Sequence, residues 1–211
     1  MCRPSDGFTC KPKAGTEPHS PALGGGEPRG KMDRRERGER LKELLEARDW
    51  DGVAAFPASS GWLLRRLLAF LQATSPGLRW RAVLGLGRVA AGLPSGDPAL
   101  AEFIRTLFWS MNDESGNLCR MAPEALGEIL RARPELRSGY APLLPQFLAE
   151  EPFETGTLWA LCRLAEAGWP ANPGLRHLVQ ASLRHPDPRR RGLARRLVRL
   201  SAPERAPRSE H

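Results

Sequence analysis

The chain has 211 residues, and 41% of them are hydrophobic, which is enough for one globular domain with a buried core. No stretch approaches the roughly 18 uninterrupted apolar residues that a membrane span needs, and four cysteines are too few for a disulfide framework. The N-terminus shows no apolar core of a signal peptide. These features predict a cytoplasmic protein that does not enter a membrane.

The formal net charge of +8 is unevenly distributed, and Arg outnumbers Lys by 28 to 4. Residues 39–184 carry sixteen basic and sixteen acidic side chains, so this part of the chain is neutral. The excess lies at the two ends, with +3 in residues 1–38 and +5 in residues 185–211. A neutral body does not favour nucleic-acid binding along the whole domain, because phosphate contacts supply most of such affinity.

Both ends of the chain are predicted to be disordered. Residues 1–32 are rich in Pro, Gly, Ser and Thr and contain few large apolar side chains, so they cannot bury enough surface to offset their ordering entropy. Two interpretations stay open: a translated tail, or an extension upstream of an initiator at Met32. A short polar tail is expected at 203–211, which leaves a folded domain over 33–202.

From residue 33 onward the apolar side chains recur with helical spacing, and no stretch alternates with the period of a strand. The first helix carries Leu41, Leu44 and Leu45 on one face. Pro, Gly and Asp mark the breaks between helices. Later helices are predicted near 62–71, 78–92, 98–110, 118–133, 139–149, 154–167, 173–184 and 188–200. The predicted fold class is all-α.

Four of these segments share an internal pattern, with spacings of 40, 35 and 37 residues between anchor positions at Gly87, Gly127, Cys162 and Arg199. A small residue stands five positions before each anchor, and Leu or Val stands directly before it. Twelve positions before the anchors stand Ser75, Ser115, Glu150 and Asp187, most of them good N-cap residues. One helix pair of this kind cannot bury its apolar face alone, so the units are expected to stack.

Several stretches resemble known repeat proteins. Residues 78–87 look like the second helix of a HEAT-type repeat, and Asp-Pro-Arg-Arg-Arg at 187–191 looks like the opening of another. Residues 41–50, 109–116 and 122–128 are similar to an uncharacterised bacterial family of small HEAT-repeat proteins, and the resemblance covers about residues 39–200. The turn at 117–121 departs from that family's pattern, which would have a Gly-rich turn with a Trp. The resemblance implies an α-solenoid of four to five HEAT-like helix pairs and no established activity.

The densest group of candidate functional side chains is a mid-chain cluster of one Trp and several polar residues. At 100° per residue, Glu124 and Glu128 fall opposite the apolar side of their helix, stacked one turn apart. One interpretation is an acidic groove with an aromatic wall that binds a partner. The other is structural: the polar residues cap helices, and the glutamates lie on a solvated face beside Arg120 and Arg131. The cluster comprises Trp109, Asn112, Asp113, Glu114, Glu124 and Glu128.

The last predicted helix, 188–200, is basic and amphipathic. It either binds phosphate or an acidic partner, or supplies the polar outer face that a terminal repeat needs to stay soluble. Its candidate binding residues are Arg189, Arg190, Arg191, Arg195 and Arg196.

Two enzyme classes are alternatives by resemblance. HEAT-like DNA glycosylases for alkylated purines use an aromatic side chain and a carboxylate at a groove that faces DNA, and here Trp109 and Asp113 stand four residues apart. Some HEAT-type repeats occur in bilin lyases, but that alternative rests on fold analogy alone.

No cofactor, metal ligand or catalytic residue is predicted. Cys2 and Cys10 show no zinc-like spacing, Cys119 and Cys162 are interpreted as small core residues, and Trp80 and Trp159 are assigned to packing. The favoured function is a monomeric, non-enzymatic interaction module that presents a concave surface to a protein partner. Nucleic-acid binding through the last helix is the first alternative.

Overall fold

The computed structural model of the chain describes residues 33–112, 118–170 and 176–201. Within these ranges every regular element is a helix, which confirms the all-α class. The described residues belong to one compact unit that begins at Asp33. Asp113 and Glu114 of the candidate cluster, and the tails predicted at both ends, lie outside the described residues. None of the described helices has the length and apolar character needed to cross a membrane.

The α-helices of the described ranges are α1 (Arg34–Ala47), α2 (Trp50–Ala54), α3 (Ser60–Leu71), α4 (Pro76–Gly92), α5 (Pro98–Met111), α6 (Ala122–Ala132), α7 (Arg137–Tyr140), α8 (Glu154–Glu166), α9 (Arg176–Leu183) and α10 (Pro188–Leu200). Two 3-10 helices, Pro134–Leu136 and Ala141–Ala149, lie on either side of α7.

Local side-chain chemistry sets most helix starts. The Asp33 carboxylate accepts hydrogen bonds from the backbone of the first turn of α1, and Glu36 completes a capping box. Ser75 and Asp187 cap α4 and α10 as predicted, each followed by a Pro in the first turn. Glu150 is not a cap, because α8 begins four residues later.

Two predicted helices differ from those observed. The helix predicted over 139–149 is mostly 3-10, since Pro145 inside it has no N–H to donate to an α-helical hydrogen bond. The helix predicted over 118–133 begins at Ala122 instead, with Pro123 in its first turn, where a missing N–H costs nothing.

Four helices pack in series. α6 packs against both α4 and α8, and α8 packs against α10, while α3, α5 and α9 pack alongside α4, α6 and α10 respectively. The small residues of the sequence pattern lie within this series and are all 0% exposed, which lets neighbouring helices approach closely: Ala82, Ala122, Thr157 and Ala194. In the last helix Val198 is 47% exposed, because no further described helix covers that side of α10.

Two arginines bond to the C-terminal ends of neighbouring helices. The guanidinium of Arg133, directly after α6, donates to the carbonyl oxygens of Ala90, Leu93 and Pro94 at the end of α4. Arg137 donates to the Leu130 carbonyl in α6 and, at 3.0 Å, to the Ala167 carbonyl directly after α8. These bonds supply donors at helix ends, where the last carbonyls have few backbone partners.

Candidate functional site

The candidate cluster is divided between two elements. Trp109, in the last turn of α5, is 73% exposed, and Asn112 directly after that helix is exposed as well. Asn112 Nδ2 donates a 2.9 Å hydrogen bond to the Phe108 carbonyl, so its side-chain amide binds a carbonyl of the last turn of α5. In contrast, Glu124 and Glu128 lie in α6 and are only 7% and 1% exposed.

The prediction that Glu124 and Glu128 lie on a solvent-facing side of α6 is therefore wrong. Every residue from Ala122 to Leu130 is buried, because α6 packs against α4, α5 and α8 together. A helix with several neighbours has its polar flank covered too, and the spacing of its apolar residues does not reveal that.

Glu128 is the centre of an ion-pair network that joins three helices. Its Oε1 accepts from Arg163 Nε on α8 at 2.6 Å, and its Oε2 accepts from Arg131 Nε at 2.9 Å. Arg163 also pairs with Glu166 at 2.6 Å, and Glu166 pairs with Arg196 of α10. The pairing of a glutamate with Arg131 was expected on the structural interpretation, whereas the link to Arg163 was not.

Glu124, in contrast to Glu128, has no charged partner among the described residues. Its Oε2 is buried and accepts no hydrogen bond, and none of the ion pairs formed by the described residues includes it. Burial raises the pKa of the Glu124 carboxyl to about 7, against a smaller opposing effect of a backbone hydrogen bond. The carboxyl lies against Gly156 of α8, where an added Cβ would stand 2.5 Å from Oε2. The expected pairing with Arg120 is absent among the described contacts.

An aromatic pair links α4 to α8. The rings of Trp80 and Trp159 have centroids 5.3 Å apart and planes inclined by 60°, and Trp80 remains 40% exposed. The Arg163 guanidinium lies 5.7 Å from the Trp159 ring centroid. Because α4 and α8 both pack against α6, this ring contact joins two helices that share α6 as a neighbour. The sequence predicted a packing role for both tryptophans but not this contact.

Sequence reasoning also missed Gly156 and Arg163 as parts of this region. A glycine inside a helical pattern was the available signal for Gly156, since it often marks a close approach of another group. No signal in the sequence pairs Arg163 with a glutamate 35 residues away.

The basic helix α10 uses three of its five candidate arginines for internal contacts. Arg190 donates to Glu154 Oε1, to Ser182 Oγ and to the Leu148 carbonyl, each at 3.2 Å. Arg191 donates to the carbonyls of the preceding turn, and Arg196 pairs with α8. The remaining two, Arg189 and Arg195, are exposed and form no ion pair with the described residues.

Metal and thiol chemistry receive no support from the described residues. Within them, no group of three or more His, Cys, Asp or Glu side chains is placed to hold a metal ion. Cys119 and Cys162 are buried free thiols, as expected, although Cys119 lies before α6 and not in a helix. Burial raises the pKa of each thiol to about 11, so neither is a thiolate near neutral pH.

The chain matches no known family profile. Over 75 residues it is 37% identical to an uncharacterized protein of Archaeoglobus fulgidus. These residues are 36% of this chain and 38% of that protein, so the chain spans well under half of the relative's length. This similarity carries no information about activity.

Proposed function

We propose that the protein is a non-enzymatic α-solenoid of HEAT-like helix pairs that binds a protein partner. The successive packing of α4, α6, α8 and α10 supports this architecture, since equivalent small residues are buried in the same register in all four helices. Stacked helix pairs of this type offer extended surfaces for protein partners.

The exposure of Trp109 carries the functional part of the proposal. A Trp side chain that is 73% exposed leaves a large apolar surface in water, and Trp is enriched among the residues that dominate binding energy at interfaces. The neighbouring Phe108 stacks on Tyr140 with ring centroids 6.1 Å apart, so the end of α5 is held in place. Trp109 is thus presented on a fixed helix. Asn112 and the undescribed Asp113 and Glu114 follow it directly along the chain.

The test is affinity capture from a nuclease-treated native lysate with three forms of the protein. Wild type is compared with Trp109→Ala and with the control Leu143→Ala, which removes another exposed apolar side chain from a different element. We expect Trp109→Ala to lose a partner that wild type and the control both retain, with an unchanged melting temperature. Capture of the same proteins by all three forms would contradict the role of Trp109.

Nucleic-acid binding is a second candidate, favoured by Arg189 and Arg195 on α10, which are exposed and form no ion pair with the described residues. Phosphate contacts weaken steeply as salt rises. The measurement is retention of a short DNA duplex at two salt concentrations by wild type and by the Arg189→Ala, Arg195→Ala double variant. Retention that ignores both salt and the substitutions would remove this candidate. The glycosylase alternative needs Asp113, which lies outside the described residues, and the bilin-lyase alternative gains no support from any described contact.

A further inference from the structure

Glu124 and Glu128 stand one turn apart on α6 and differ sharply in their partners. Glu128 binds two arginines, whereas Glu124 Oε2 has no partner although the residue is only 7% exposed. A buried carboxyl without a counter-charge is costly, and an apolar side chain of similar size would be more stable in such a place. Packing alone therefore does not account for an acid at this position, which points to another role.

The side chains around Glu124 indicate what kind of group it could bind. Its carboxyl contacts α8 at Gly156, one turn before Trp159 on the same helix. The Trp159 ring contacts Trp80 of α4, so the aromatic pair begins one helical turn from the point where Glu124 contacts α8. Trp80 is 40% exposed and therefore connects this region to solvent.

We infer that Glu124, Trp80 and Trp159 form a binding site for a small organic cation, namely a guanidinium or alkylammonium group. The carboxylate supplies the single counter-charge, and the indole faces attract a cation through their ring quadrupoles. The Arg163 guanidinium 5.7 Å from the Trp159 centroid is a cation already held near that ring within the protein. Glu124 is only 7% exposed, so a cation needs a side-chain movement to reach it, and the 40% exposed Trp80 is the member of the site that we expect to move.

The chemistry of the site selects against other ligands. A divalent metal ion needs several oxygen or nitrogen ligands, and no such group exists among the described residues. An anion would meet the Glu124 carboxylate directly. A weakly hydrated organic cation matches both the single charge and the aromatic surface.

This inference is independent of the partner proposed for Trp109, since it uses different residues on different helices. The cationic group belongs either to a free small molecule or to an Arg or Lys side chain of a peptide. Both sources offer the same cationic group to Glu124. Small free cations and short peptides are therefore used as separate probes to distinguish the two sources.

The experiment follows the indole N–H signals of Trp80 and Trp159 by NMR at pH 8 during titration with methylguanidinium or methylammonium chloride. N-methylurea serves as the neutral analogue of methylguanidinium, and sodium chloride is the ionic-strength control. We expect saturable shifts in the millimolar range with at least one cation and none with N-methylurea. Binding should weaken at least tenfold at pH 5.5, where burial keeps Glu124 protonated, its pKa being about 7.

Two variants make the assignment specific. Glu124→Gln keeps the shape of the side chain and should lose at least tenfold in affinity, whereas the control Glu102→Gln, at an exposed site on α5, should not. Trp80→Leu should also weaken binding, and it provides a second test if the first variant fails to fold. A cation response equal to that of N-methylurea, or one unchanged in both site variants, would overturn the inference.

The peptide arm uses a capped Gly-Arg-Gly or Gly-Lys-Gly tripeptide. Binding at least tenfold tighter than that of the free cation assigns the site to a side chain of a protein or peptide. Equal or weaker binding of the peptide assigns it to a small molecule. Failure of every cation to bind leaves the Trp109 proposal untouched and excludes this one.

Discussion

The carboxyl of Glu124 occupies the space that any side chain at position 156 would need, because a Cβ added to Gly156 would lie 2.5 Å from Glu124 Oε2. The next close contact between the same two helices is at Gly127, where an added Cβ would lie 2.7 Å from the Ala160 backbone. These two glycines set the separation of α6 and α8, one from each helix. The identity of residue 156 is therefore tied to the acid on the facing helix.

Gly156→Ala should destabilise the protein by about 1–3 kcal/mol, because the added methyl group forces Glu124 or the helices apart. The matched control is Gly192→Ala in the middle of α10, where an added Cβ meets nothing within 4 Å. That variant should instead gain about 0.5–1 kcal/mol from helix propensity. Urea denaturation measures both. A stabilising Gly156→Ala would show that Glu124 moves aside freely.

Stability should fall as the pH rises through neutrality, because of Glu124. Its folded pKa is about 7 against an ordinary value of 4.5, so between these values the folded state holds a proton that the unfolded state releases. The favourable contribution is complete below about pH 4.5 and is lost as the pH rises through about 7. Glu124→Gln should remove this dependence and raise the free energy of unfolding at pH 8 by about 3 kcal/mol. Urea midpoints between pH 5 and 8 measure it, and parallel pH profiles for both proteins would contradict it.

Arg163→Met should cost about 2–3 kcal/mol, since it leaves the buried Glu128 carboxylate with Arg131 alone. The control is Arg105→Met, which removes the partner of Glu102 from an exposed pair and should change stability little. Thermal melts compare the two variants. A double-mutant cycle with Glu128→Gln isolates the interaction, and additive effects would show that Glu128 and Arg163 are not coupled.

Arg190→Ala should loosen α10, because this guanidinium donates to Glu154, Ser182 and the Leu148 carbonyl. The expected loss is about 2–3 kcal/mol, with Glu154 left without its cation. Hydrogen exchange should accelerate first in α10. The exposed neighbour Arg189 is the control, and Arg189→Ala should leave exchange unchanged. Equal protection in both variants would mean that α10 is held by its apolar contacts alone.

The features that the sequence predicted correctly are local ones. Ser75 and Asp187 were recognised as caps because an N-cap needs only the residue itself and the turn that follows. The small residues of the repeating pattern were expected at helix contacts, and Ala82 and Ala122 are fully buried there. Both features depend only on residues within or next to a helix and not on which helices become neighbours.

The features it missed depend on which helices become neighbours. The polar flank of α6 was expected in solvent, yet packing against α4, α5 and α8 covers it and buries Glu124 and Glu128. The sequence predicts Arg190 as part of a basic binding surface, but its guanidinium donates to Glu154 and to the Leu148 carbonyl. Such partners are far apart along the chain, so the periodicity of one element carries no record of them.

The arginine bonds at the helix ends bear on how the domain unfolds. In an α-solenoid of the kind proposed for this protein, helix pairs contact only their neighbours, and such chains can unfold from one end, unit by unit. Here Arg133 holds the end of α4 from beyond α6, and Arg137 holds both α6 and the residue after α8. If one of these helices unfolds, the arginine that follows it is displaced, and the carbonyls to which it donates on a neighbouring helix lose their hydrogen bonds. Unfolding is thereby coupled over this stretch, and α4, α6 and α8 should lose their structure in one cooperative transition.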